Sequence, residues 1–451
     1  MPNTVTRRGL LAGAAAPLLV RAQPARPNIV FVLMDDLRWD ALGCTGHPFV
    51  KTPNIDRVAR EGVNFRNHFC TTPLCSPSRA SFLTGQFVHT HGVQDNTNHN
   101  ELSHKLVTSG LHLQRAGYDT AYMGKWHMGN DSSPRPGWNR WISFRAQGAY
   151  VDPLLNIDGK EQKISGYVTD YFTTNAVDFI RAKRTSPFLL YVANKAVHGP
   201  FTPAERHKTL FADQPIRRSP GAQDTLEGKP MLQRAIPNLP PLKPGMGSGD
   251  ELIRNQLRCL TSADEGVGQM LRALEETRQL ENTVFIFTSD NGYLWGEHCL
   301  GDKRPAYEES IRIPMVVRYP QWFKAGQEVQ QLTLNIDMAP TLLEMAGLSK
   351  PKEMQGESLV PLMRGQSPKW RDSFFCEYFE EENFPRIATW QAVRNDHWKY
   401  IHYPNLQGAD ELYDIKEDRY ELKNRIADPA AQAALEVMKK EFEKVRKASG
   451  L

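Results

Sequence analysis

The chain has 451 residues, 55 basic against 51 acidic, and a formal net charge of +4. That length accommodates one large α/β domain with a smaller one appended, and the composition is that of an ordinary soluble protein with a sizeable core. The near balance of charge excludes nucleic acid or an anionic membrane as a partner held by bulk electrostatics. No run is long and apolar enough to cross a bilayer as a helix, so no stable membrane association is expected.

The first segment reads TRRGLLAGAAAPLLVRAQPA. Arg7 and Arg8 precede a short apolar run, and Arg21 follows it. The pattern predicts a twin-arginine signal over residues 1–22, a twin-arginine translocase as partner, and a periplasmic or secreted protein. Without its three arginines the mature chain carries 52 basic and 51 acidic residues. An anionic substrate would then be held by local charges. The six cysteines have no metal-site spacing and are too sparse for a disulfide scaffold; sequence cannot pair them.

Next comes NIVFVLM, Asn28–Met34, a short apolar run with the look of a buried parallel strand, ending on Asp35-Asp36. Thr52-Pro53 reads as a cap followed by proline at the first helical position, with Gly62 as the stop. Residues 104–116 and 251–280 carry apolar residues at helical spacing. Further strands are expected over 118–123, ending on Gly124-Lys125-Trp126-His127; over 187–193, leading into Asn194, Lys195 and His198; over Thr283–Ser289, ending on Asp290-Asn291; and over 311–319. Strands alternating with helices predict a large, mostly parallel sheet sandwiched by helices. Residues 202–249 are rich in proline and glycine and read as a long surface excursion. From residue 365 onward AVRNDHWKYIHY, ELYDI and a helix over 429–447 predict a small antiparallel sheet with a packed terminal helix. The expected division is 27–364 for the catalytic domain and 365–451 for the C-terminal subdomain.

Four apolar runs end in acid, amide, lysine or histidine. In open α/β sheets ligands bind beyond the carboxyl ends of the strands, so these groups converge on one expected site. Asp-Asp after a strand is by itself a helix cap, and Asp-Asn-Gly by itself a turn. Taken jointly, Asp35, Asp36, Asp290 and Asn291 form an all-oxygen set suited to a hard divalent cation, Ca²⁺ before Mg²⁺. Arg79, Lys125 and Lys303 suit a compact, multiply oxygenated anion, and His127 and His198 are candidate proton-transfer groups. A thiol at Cys75, in CSPSRASFLTG, has no role in this scheme.

With its surroundings, Cys75-Ser76-Pro77-Ser78-Arg79 resembles the signature of the type I sulfatases, in the alkaline phosphatase-like superfamily. The companions are DDLRWDALGC, TPNIDRVAREGVNF, GYDTAYMGKWHMG, KAVHGPF, SDNGYLWGEH, DKRPAYEESIRIPM and ELYDIKED, in order over nearly the whole chain after the signal. The resemblance implies that a formylglycine-generating enzyme oxidises Cys75 to formylglycine, whose hydrate attacks sulfur. It implies that Asp35, Asp36, Asp290, Asn291 and residue 75 hold the metal, and that Arg79 and His127 bond the diol, with His127 as base. Lys125 and Lys303 would neutralise sulfate oxygens. His198 would protonate the leaving alcohol with help from Lys303, and Lys195 and His298 would contact substrate. Cys299 departs from the pattern, standing where glycine is expected in GEHGL.

The implied activity is hydrolysis of a sulfate ester, with a sulfated saccharide as substrate. A formylglycine-dependent phosphonate monoester or phosphodiester hydrolase would use the same catalytic set. A non-catalytic sulfated-glycan binder would have no need of a nucleophile and a proton donor. The sugar, the sulfate position and endo or exo action depend on loops expected at 89–99 and 202–249 and on the C-terminal subdomain.

Overall fold

A computed structural model describes residues 26–97 and 99–451; the expected export signal lies outside these. The large sheet has eleven strands. They are β1 (Asn28–Met34), β2 (Val63–Phe69), β3 (Asp119–Gly124), β4 (Arg140–Ser143), β5 (Leu154–Ile157), β6 (Lys160–Lys163), β7 (Phe188–Ala193), β8 (Thr283–Ser289), β9 (Arg312–Arg318), β10 (Gln327–Val329) and β11 (Thr333–Leu334). The order is β10-β2-β9-β8-β1-β7-β3-β4-β5-β6, with β11 beside β2. β8, β1, β7, β3 and β4 run parallel.

Alternate residues of β1 face opposite ways because strand side chains have period two. Ile29, Phe31 and Leu33 enter one core and Val30, Val32 and Met34 the other. Both faces are therefore covered, which is why the run is continuously apolar. Helices Pro53–Arg60, Val168–Arg181 and Asp250–Glu276 pack on the second face through Ile55, Phe172 and Leu257. Helices Cys75–Thr84 and Met338–Met345 pack on the first through Phe82 and Leu342.

Three expectations need correction. The 311–319 run was expected to be parallel, but β9 is antiparallel to both β8 and β2. No long helical crossover separates β8 from β9, so the chain turns back at the edge where the site loops lie. The 104–116 helix is two helices, Asn100–Lys105 and Ser109–Arg115, split where Thr108 Oγ1 accepts from Leu111 N at 3.2 Å and starts the second. Thr52 does not cap helix Pro53–Arg60 with its side chain. Instead Asp264, on helix Asp250–Glu276, accepts from Asn54 N at 3.1 Å and Ile55 N at 2.8 Å. Gly62 follows that helix for a packing reason: a Cβ there would lie 2.1 Å from Val317 O of β9.

The second sheet is antiparallel, with β12 (Ser373–Tyr378), β13 (Trp390–Asn395), β14 (Trp398–His402) and β15 (Glu411–Asp414) in order, backed by helix Gln432–Ser449. Its apolar face joins the first core through Phe374, Trp390, Tyr400 and Met438, and Phe374 meets Phe69 of β2 at 4.8 Å between ring centres. Buried charges bridge the seam. Glu308 pairs with Arg394 at 3.1 Å and Lys399 at 2.9 Å, and Lys399 also meets Glu421 at 2.7 Å. The 202–249 excursion is stitched down in places: Lys229, wholly buried, donates to Leu422 O at 3.0 Å and pairs with Asp224 at 3.1 Å.

Candidate active site

The site is built where β1, β3, β7 and β8 end. β1 stops at Asp35-Asp36, and Asp36 adopts φ +63, a left-handed turn that acids tolerate better than most residues. Helix Cys75–Thr84 begins on Cys75 and is buried along its whole length. Each residue of the pentapeptide has a partner that explains its type. Cys75 Sγ lies 3.3 Å from Asp35 Oδ1 and 3.0 Å from Lys303 Nζ. Ser76 Oγ donates to His127 O at 2.6 Å, and Pro77 occupies the first turn, where a missing N–H costs no helical bond. Ser78 Oγ donates to Asp290 O at 2.5 Å, and Arg79 grips the Asp290 carboxylate with Nε at 2.9 Å and Nη2 at 2.8 Å.

The carboxylates are interlocked with cations. Lys125 Nζ is 2.5 Å from Asp35 Oδ2, and Lys303 bonds Asp36 Oδ1. Burial works to raise Asp35, but Lys125 and then His198 outweigh it and hold the carboxyl well below its ordinary range. Asp36 is lowered in the same way, mainly by Lys303 against burial. Asp290 goes the other way: burial, then the Asp35 charge, push it up to about 7 despite Arg79. Asn291 Nδ2 donates to Asp36 Oδ1 at 2.7 Å, while its Oδ1 is buried without a partner. Three crowded carboxylates and an orphaned amide oxygen fit a hard divalent cation. Ligating atoms of Asp35, Asp36, Cys75 and His198 lie within 4.8 Å of one another; Asp290 falls outside that group.

The expected catalytic residues gather here. His127, at φ +66, places Nδ1 3.2 Å from Ser76 Oγ. Because that hydroxyl gives its proton to His127 O, the Nδ1–H donates to Ser76 and Nε2 is left as the basic nitrogen. Burial and then Lys125 hold His127 well below its ordinary value, so it is neutral and able to accept a proton. His198 Nε2 is 3.7 Å from Asp36 Oδ2, and burial with Lys125 pushes it down to about 3. Arg79 is committed to Asp290, and to Lys125 O at 2.6 Å; its role in the fold is to hold the Asp290 carboxylate in place.

Lys195 and His298 stand apart from the cluster. The Lys195 ammonium donates to Gln147 O at 2.8 Å and Gly199 O at 2.9 Å, bracing the loop that carries His198. His298 Nδ1 bonds Asp224 of the excursion at 2.6 Å and its ring lies 3.9 Å from that of Tyr307. Cys299 adopts φ +63, the conformation glycine would take without strain, and its thiol donates to Asp224 O at 3.3 Å. Sequence reasoning passed over Arg304 and Glu381. Arg304 has φ +102, bonds Glu381 Oε2 at 2.6 Å and stacks 3.5 Å from the ring of Phe384, which is 43% exposed. Arg304 and Phe384, together with Lys303, Asp302 and Arg386, line a cleft of about 380 Å³, and Glu381 holds Arg304 from outside its lining. The only signal in the sequence was the place of Arg304 beside Lys303.

A fold of this kind with buried carboxylates, lysines and a helix-initial cysteine defines a hydrolase of anionic esters. The sulfatase family model matches residues 27–348, and that of the N-sulphoglucosamine sulphohydrolase C-terminal region matches residues 296–448. An N-acetylglucosamine-6-O-sulfatase of Bacteroides thetaiotaomicron is 31% identical, with 92% of this chain and 85% of that protein covered. A human N-acetylglucosamine-6-sulfatase is 32% identical over 82% of this chain and 70% of its own. A solved structure in complex with its substrate D-glucosamine-2-N,6-O-disulfate superposes with a TM-score of 0.85 at 30% identity, covering 94% of this chain and 98% of that one. The chain belongs to the sulfatase family of the alkaline phosphatase-like superfamily and is a sulfuric ester hydrolase.

Proposed function

We propose that the protein removes sulfate from a sulfated amino sugar of the N-acetylglucosamine type, using formylglycine made from Cys75. The observation that carries this is the setting of Cys75. Burial, then the Asp35 charge, push its thiol up to about 12, so it is neither a thiolate nucleophile nor a ready metal ligand. Conversion to a hydrated aldehyde would turn a misplaced sulfur among carboxylates into an oxygen ligand and a nucleophile. The sugar class is supported by the named activities of the relatives. The cleft beside Lys303, with its exposed Phe384, offers a face on which a sugar ring can pack.

Asp35, Asp36, Asp290 and the free Oδ1 of Asn291 would hold the cation, Ca²⁺ in preference to Mg²⁺. When bound, it would supply the charge that acidifies a hydroxyl at position 75 and draws electrons from the sulfate. Lys125 and Lys303 hold the sulfate oxygens. One diol hydroxyl, having lost its proton to solvent, bonds to sulfur as the bond from sulfur to the sugar oxygen breaks, and His198 delivers a proton to the departing sugar oxygen. In the free site His198 is neutral, so it gains this proton with the anionic substrate, whose charge opposes the effect of burial and the lysines. His127 Nε2 then takes the proton of the second diol hydroxyl; the carbon–oxygen bond to sulfate breaks and the aldehyde returns. The proposal includes export by the twin-arginine route and modification of Cys75 by a formylglycine-generating enzyme. It also includes the division at 364/365.

The test combines mass spectrometry of the tryptic peptide spanning 67–79 with sulfate release from N-acetylglucosamine-6-sulfate and alcohol release from a phosphonate monoester. Formylglycine at position 75 and strong preference for the sulfated sugar are expected. Full activity with only thiol at Cys75 would overturn the mechanism, and preference for the phosphonate would overturn the substrate.

A further inference from the structure

A second pocket, of about 580 Å³, lies against the far side of the Arg38 loop. Its size is within the roughly 300–1,000 Å³ typical of small-ligand sites. Arg38 forms one wall, bonding Glu297 at 3.0 Å and Tyr293 O at 3.1 Å, and Asp36 of the active site is two residues earlier in the chain. Six arginines line the pocket. Three are neutralised: Arg38 by Asp40 and Glu297, Arg218 by Asp250, and Arg394 by Glu308.

The other three have no carboxylate partner among the described residues. Arg312 donates to Arg66 O and to Asn67 Oδ1 at 3.3 Å, and its guanidinium lies 4.1 Å from the ring of Trp39. Arg419 lies 5.8 Å from the same ring and 5.1 Å from that of Tyr420, and makes no ion pair. Arg217 is exposed. Aromatic faces orient two of these cations without neutralising them, so the N–H groups that are not already bonded to Arg66 O and Asn67 Oδ1 can meet an anion. Burial, then Arg394 and Arg419 against the single opposing charge of Glu308, push Arg312 down to about 10. Two acids in the lining lack an arginine partner: Asp396, exposed on the rim, and Glu309, whose carboxyl is pushed well above its ordinary range by burial and then the Glu297 charge.

We propose that this pocket is a second, non-catalytic site that binds a sulfated saccharide unit through Arg217, Arg312 and Arg419. It would hold the enzyme on a polymer while another unit occupies the active site. That the pocket takes an anion rests on the unpaired arginines alone; that the anion is a sulfated sugar rests on the function proposed above.

The experiment measures equilibrium binding of dextran sulfate, with neutral dextran as control, alongside hydrolysis of nitrophenyl sulfate. The variants are Arg217→Ala/Arg419→Ala and, as a charge-matched control, Lys439→Ala/Lys440→Ala on helix Gln432–Ser449. The pocket variant is expected to bind dextran sulfate about tenfold more weakly or worse, consistent with loss of two charge-assisted contacts. It should hydrolyse nitrophenyl sulfate at the parental rate, and neutral dextran should not bind. The control variant should bind as the parent does. Unchanged binding in the pocket variant would overturn the proposal, as would equal weakening in both variants. Normal binding by a parent that fails to cleave any sulfate ester would count against the proposed activity and leave the pocket standing.

Discussion

At the scale of single residues, two expectations separate the roles of neighbouring groups. His198 is the proposed proton donor, and sugar alcohols leave poorly without one, whereas activated aryl alcohols leave well. His198→Ala should therefore slow a sulfated saccharide by roughly a hundredfold or more and nitrophenyl sulfate far less. Lys125→Ala should slow both alike, because both place sulfate on the same cation. Steady-state rates of the two variants on the two substrates check this; an equal loss on both for His198→Ala would leave Lys303 as the better donor. Asp290 presents a different problem. It anchors the buried Arg79 guanidinium as well as the proposed metal, so Asp290→Ala would leave that charge with only the more distant Asp35 carboxylate, at 3.6 Å, and cost about 3 kcal/mol of stability. Asp290→Asn keeps a partner for Arg79. It should fold, bind much less calcium by elemental analysis and lose activity.

At the scale of elements, the four apolar runs that end on polar groups were legible because burial on both faces leaves no polar residue inside the strand. Asn28–Met34 and Thr283–Ser289 have the bounds of β1 and β8. β2 was not legible: VNFRNHF mixes polar and apolar residues, and its pairing with β9 on one side and β10 and β11 on the other makes it a strand. The direction of β9 and the Asp264 cap also escaped, since each depends on a partner distant in the chain. The proposed metal and nucleophile positions were read from motifs, whereas Arg304, Glu381 and the arginine pocket carry no local signature. Gly62 tests how tightly two elements approach. Gly62→Ala would drive a methyl into the β9 backbone at Val317. The expected cost is about 1–3 kcal/mol, read as a lower midpoint in urea unfolding with activity per folded molecule retained.

At the scale of the whole molecule, the C-terminal sheet is part of the main core. Removing residues 365–451 would expose Phe69, strip Glu308 of Arg394 and Lys399, and leave Lys229 without its bond to Leu422. A chain ending at Arg364 should therefore be insoluble or molten, with weak near-ultraviolet circular dichroism and no sulfatase activity. A cooperative thermal transition in that shortened chain would show that the first 364 residues fold independently. The same joining explains why the cleft beside Lys303 draws on both parts: Lys303 and Arg304 come from the large domain and Phe384 and Arg386 from the small one.

The helix that starts at Cys75 is covered along all ten of its residues, and the cysteine itself has no exposed surface. A modifying enzyme could not reach the Cys75 side chain in the folded protein. Once the two cores have closed, nothing of it is left outside to grip. If Cys75 is converted as proposed, the window for that step closes when the chain folds, and molecules that miss it keep the thiol. The yield of competent enzyme is then decided by a race between modification and folding, and a slower-folding chain would give the modifying enzyme more time.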